Sequence, residues 1–74
     1  MDNTNAPLTD SRIIDRLGGT TAVATICKIR SPSVSEWRIS GIPAARRQYL
    51  ELLNPRAFDA RVPDDALIPD LKAA

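Results

Sequence analysis

Apolar residues recur three and four positions apart along much of this chain, in short runs separated by polar and turn-forming residues. Ile13, Ile14 and Leu17 fall on one helical face. Val23 and Cys27 are four apart, and Val34 and Trp37 three apart, so each pair shares a face. Ile42, Ala45, Tyr49, Leu52 and Leu53 continue the period and are expected to face the core. The spacing predicts a first helix ending at Leu17, a second over 20–27, a third over 32–39 and a fourth from Pro43 to Leu53.

Punctuation residues sit where these helices should begin and end. Thr9 is placed to cap the first, with Leu8 and Ile13 as a hydrophobic staple and Asp10 favourable in the first turn. Gly18 and Gly19 should end it, since glycine readily takes positive φ. Thr20 or Thr21 is expected to cap the second helix. Ser31 as N-cap and Pro32 at the first helical position form a strong start for the third, and Ser40-Gly41 a stop. Asn54-Pro55 should stop the fourth.

Two apolar pairs on consecutive short helices, with Ala24 small enough for close crossing and Ile29 plugging the turn, give a helix-turn-helix over residues 18–38. Such a unit can place its second helix in the DNA major groove. The flanks are different. Residues 1–7 are polar and expected to be disordered. Residues 8–54 are expected to form a DNA-binding domain, and 55–74 a tail expected to fold back on it or to bury a second protomer. Pro63 and Pro69 argue against a central strand in that tail. No Asn-Gly or Asp-Gly turn and no alternating β-branched run follows Leu53, so a hairpin is not expected. The fold expected is all-α: four to five helices with a short irregular or helical tail.

Composition narrows the function classes. The chain has 74 residues, three aromatics, one cysteine and no histidine. No apolar run approaches a membrane span, and no signal-peptide pattern opens the sequence. A single cysteine cannot form an internal disulfide, so a reducing cytoplasm is expected. Cys27 reads as a small buried hydrophobe and Trp37 as core. No glycine-rich phosphate loop, Cys/His set for zinc or paired carboxylates suggest catalysis. No catalytic residue, cofactor or metal is expected.

The net charge of +1 hides an asymmetry. Residues 28–47 carry Lys28, Arg30, Arg38, Arg46 and Arg47 against Glu36 alone. The segments on either side are each net negative. Positive charge thus gathers on the helix-turn-helix, as a nucleic-acid surface requires.

The stretch LGGTTAVATICKIRSPSVSEWRISGIPAARR resembles the Cro-type repressors of bacteriophages and the related YdaS-like regulators. The likeness covers roughly residues 11–54. It rests on the Gly-Gly before the second helix, Ala24, Val34, Trp37 and Gly41-Ile42-Pro43. Two positions depart from it: Lys28 stands in the turn where glycine is usual, and Cys27 where leucine is usual. The resemblance implies a lambda-repressor/Cro-like fold, and implies that Arg30, Ser31, Ser35 and Glu36 touch bases or flanking phosphates.

The chemistry of these residues is apt. Arginine reads guanine with two hydrogen bonds, glutamate accepts from cytosine, serine is adaptable, and Pro32 can meet a thymine methyl. Glu36 could equally pair with a neighbouring arginine. Thr20 and Thr21, at a helix N-terminus, suit a phosphate. Lys28, Arg38, Arg46 and Arg47 are candidate phosphate clamps. The function expected is a sequence-specific transcriptional repressor of phage or prophage type that occupies an operator. One recognition helix reads only about four or five base pairs, so a near-palindromic duplex bound by a homodimer, weak in solution or completed on DNA, is expected. An antitoxin-like regulator whose tail binds a partner protein, or an interaction module without DNA binding, are the alternatives.

Overall fold

Thr9 opens the first helix. Its hydroxyl accepts from the Arg12 N–H at 3.2 Å, and α1 runs over Asp10–Arg16. The computed structural model describes residues 8–68, and among these all regular structure is helical, with no strand. The expected disordered segment 1–7, and Pro69 and Leu71 of the tail, lie outside the described residues. The four helices fall close to where the apolar spacing puts them: α2 is Thr20–Cys27, α3 is Ser31–Ser40 and α4 is Ala44–Leu53.

Two of the ends use one device. After α1, the Gly18 N–H donates to the Asp15 carbonyl and the Gly19 N–H to the Ile14 carbonyl, at 3.1 and 2.9 Å. This pair of bonds closes the last turn and turns the chain sharply. It requires Gly18 at φ 117°, where a Cβ would also come within 2.9 Å of the Ala22 Cβ. After α2 the same pair recurs: Lys28 N–H to Thr25 at 3.2 Å, and Ile29 N–H to Ala24 at 3.0 Å. Here the left-handed residue is Lys28, at φ 59° and ψ 46°. Three residues, 28–30, thus join α2 to α3, and Ile29 packs partly buried against the core.

Two expected caps are corrected. Gly19, not Thr20 or Thr21, occupies the N-cap of α2, and no side chain caps it. Helix α3 begins one residue early, so Arg30 is its N-cap and Ser31 its first residue, again with no side-chain cap bond. Pro32 remains in the first turn, where its missing N–H has no helical partner to lose.

The core joins Ile13 and Ile14 of α1, Val23, Ala24 and Cys27 of α2, Val34 and Trp37 of α3, Ile42, and Leu50 of α4. Trp37 and Cys27 are buried, as their spacing predicts. Helix α4 is rotated from the expected setting. Leu50 is its one fully buried side chain, whereas Ala45, Tyr49, Leu52 and Leu53 are exposed. The cause lies at the start of the helix. Asp10 accepts from the Ile42 N–H and from Arg47, both at 2.8 Å, which brings the Arg47–Leu50 side of α4 toward α1.

Beyond α4 the chain forms 3-10 turns at Pro55–Phe58 and Asp64–Ala66. Ala57 is fully buried and Phe58 packs partly buried against the core, so this part of the tail folds back on its own domain. Arg16 organises it. Although charged, Arg16 is only 3% exposed. Its Nη2 donates to the carbonyls of Asp59 at 3.0 Å, Arg56 at 3.5 Å and Val62. Its Nη1 lies 3.4 Å from the Asp64 carboxylate, which Arg12 also binds at 2.9 Å. A buried guanidinium is tolerable only when so surrounded.

Arg16→Met keeps the bulk but strips these acceptors of their donor. We expect a loss of about 3 kcal/mol in urea unfolding, together with new protease cleavage between residues 55 and 68. An unchanged urea midpoint would show that Arg16 does not hold the tail.

Candidate nucleic-acid interface

The outward face of α3 follows from its inward one. With Val34 and Trp37 buried, helical geometry turns Pro32, Ser35, Glu36 and Ile39 to the opposite side, and all four are exposed. Arg30 is exposed just ahead of the helix, and Ser31 is half-buried at its first position. The residues expected to read bases therefore lie together, on the last residue of the turn and the solvent face of one helix. Glu36 enters no ion pair among the described residues, so pairing with a neighbouring arginine does not account for it.

The expected phosphate-binding residues divide into two groups. Lys28 is exposed at the left-handed turn and Arg46 is exposed on α4. Burial pushes the Cys27 thiol up, and the positive charge of Arg46 opposes that rise, so Arg46 lies close to the end of α2. Lys28, Arg30 and Arg46 form no ion pair among the described residues. They leave uncompensated charge around the turn and the start of α3.

Arg38 and Arg47 are employed internally. The Arg38 guanidinium donates to the Ser11 carbonyl at 3.0 Å, the Ser11 hydroxyl at 2.8 Å, the Thr20 hydroxyl at 3.0 Å and Asp15 at 2.8 Å. It ties α3 to α1 and to the first residue of α2. Its donors are thus directed inward rather than presented as a free clamp. Thr20 is half-buried with its hydroxyl taken by Arg38, while Thr21 is exposed beside it. Arg47 is bound to Asp10 and lies 5.3 Å over the Phe58 ring.

Asp10 is the anionic counterpart of these arginines. Burial disfavours its charge, but the Ile42 N–H and Arg47 outweigh that effect and hold the carboxyl below its ordinary range. Gly41 makes this possible. It sits at φ 103°, and a Cβ there would press within 3.2 Å of the Asp10 oxygen. Asp59 is also held low, by hydrogen bonds from the Arg61 side chain and backbone and by its charge.

The residue that side-chain spacing misses is Arg16. Its partners are mostly backbone carbonyls, which every residue type carries, so no pattern of side chains signals it.

Among the described residues no group of His, Cys, Asp or Glu could hold a metal ion, and no helix is long and apolar enough to cross a membrane. No family model, curated protein or solved structure matches the chain.

Two outcomes follow from this geometry. A carboxyl whose folded-state pKa is depressed contributes stability above its unfolded value, and that contribution is lost as pH falls through the folded value. The native protein should therefore lose stability on acidification below the ordinary aspartate range. Asp10→Asn should flatten that acid limb in thermal melts, and an unaltered limb would exclude Asp10 as a contributor. Lys28→Gly should relieve left-handed strain and stabilise the fold by about 0.5–1 kcal/mol. The same change should weaken binding to duplex DNA. A variant that gains stability with no loss of DNA affinity would show that Lys28 is not a phosphate contact.

Proposed function

We propose that this chain is a sequence-specific DNA-binding transcriptional repressor of phage or prophage type, acting by occupying an operator. One observation carries the reading. The exposed face of α3 bears small polar groups, and the uncompensated cations Lys28, Arg30 and Arg46 gather near the turn that introduces it. Local positive charge of this kind positions a protein on phosphates, while the row of side chains on the helix meets base edges. The all-helical arrangement, with a three-residue turn between α2 and α3, suits docking of α3 in a major groove.

In this proposal Arg30, Ser31, Pro32, Ser35 and Glu36 read bases. Lys28, Arg46 and Thr21 position the protein on phosphates. Arg38, Thr20 and Arg47 hold the reading helix and its neighbours in place. The operator is near-palindromic and bound by two copies, and repression is steric. A second reading, an antitoxin-like prophage regulator that also binds a partner protein, is favoured by a different observation. Tyr49, Leu52 and Leu53 are 46%, 83% and 55% exposed on α4, beside a groove lined by Gln48, Glu51, Leu52 and Pro55. The same face would also serve a second copy of the chain.

Salt dependence tests the proposal. With Lys28, Arg30 and Arg46 each neutralising one phosphate on random duplex, log K against log[salt] should fall with a slope of about −2.7 per protomer. A slope near zero would remove DNA binding. Substitutions then separate positioning from reading. Arg46→Ala should weaken operator and random duplex by similar factors, whereas Ser35→Ala or Glu36→Gln should change the preferred base at one operator position. Equal effects of all three on both duplexes would show that α3 is not the reader.

A further inference from the structure

Ile39 is the most exposed of the large apolar side chains outside the core, at 91%, and neither the packing nor the residues assigned to base reading account for it. It stands on α3 seven residues beyond Pro32, three beyond Glu36 and four beyond Ser35. These four side chains form one row along the helix, opposite buried Val34 and Trp37. The row reads apolar, polar, polar, apolar. The neighbours of Ile39 one turn back are Ser35 and Glu36, both exposed and polar, so it is a single apolar point in a polar row. Protein-docking surfaces need contiguous apolar area. An isolated aliphatic side chain among hydrogen-bonding groups instead suits a small apolar target set among polar ones. In a major groove that target is the C5 methyl of thymine.

We infer that Ile39 is a further specificity-determining residue, reading a thymine methyl at the distal end of the recognition helix. This rests on the DNA-binding function proposed above and extends the reading row by one residue. Seven residues of helix span about 10.5 Å, and base pairs repeat every ~3.4 Å. With α3 lying along the groove, the thymine under Ile39 therefore falls about three base-pair steps from the base under Pro32. The side chain is almost wholly exposed and alanine is the better helix former, so Ile39→Ala leaves the fold intact.

Selection supplies the operator for the test. Sites are enriched from random-sequence duplex with the full chain, and each thymine of the enriched site is replaced in turn by deoxyuridine. That base pairs as thymine does and lacks only the methyl. At one position the native protein should bind the deoxyuridine duplex about fourfold more weakly, the worth of one buried methyl. Ile39→Ala should bind the thymine duplex about fourfold more weakly than the native protein and be indifferent to the replacement there. Circular dichroism of the variant checks its fold. An enriched site on which the variant keeps native affinity and a native deoxyuridine profile overturns this inference while leaving the DNA-binding reading in place. Failure to enrich any site overturns both.

Discussion

None of the four helices exceeds ten residues, and helices this short do not persist alone in water. Nine buried side chains from five segments form the shared core, and a core this small leaves relative orientation loosely specified. Directed polar bonds supply the rest, and they converge on α1. Asp10 reaches the start of α4, Ser11 and Asp15 hold Arg38 of α3, Arg16 gathers the carbonyls of the tail, and Arg12 binds Asp64. Seven residues thus serve as a hub: Ile13 and Ile14 face the core, and most of the others hook a separate element.

The hub also sorts the positive charge. Arginines that contact α1 are neutralised or buried, whereas Lys28, Arg30 and Arg46 are exposed, form no ion pair with it and keep their charge. Sequence segments cannot make this distinction. Residues 28–47 carry five cations, yet two of these spend their donors inside the molecule. The surface that remains positive is smaller than the sequence suggests, and it is centred on the turn. That turn is itself under strain, with a lysine held at φ 59° where glycine would be easier. Retaining lysine there places a charge beside the start of α3, at some cost in stability.

The helices and most of the core were legible because they rest on local rules. Thr9 and Gly18 behave as their chemistry requires, and Val23, Cys27, Val34 and Trp37 are buried on the faces their spacing defines. Helix α4 was not legible. Its apolar residues mark a face other than the one that is buried, and the side carrying Leu50 also carries Arg47, which Asp10 binds from more than thirty residues away in sequence. The exchange of Ser31 for Arg30 as N-cap is a one-residue shift in a helix start, below what residue preferences resolve. On the candidate interface the reading row was legible from helical periodicity. The internal employment of Arg38 and the role of Arg16 were not, because their partners come from distant elements and from backbone carbonyls.

In the function proposed above, the exposed row of α3, framed by the free cations near the turn, is the surface that meets DNA. Amide chemical-shift mapping of the isotopically labelled chain, titrated with short duplex DNA, probes that surface directly. Shifts should concentrate at Thr21 and from Lys28 through Ile39, with a further perturbation at Arg46, while Tyr49, Leu52 and Leu53 remain still when a single protomer binds. Shifts confined to the exposed face of α4, or none at all at low salt, would contradict it.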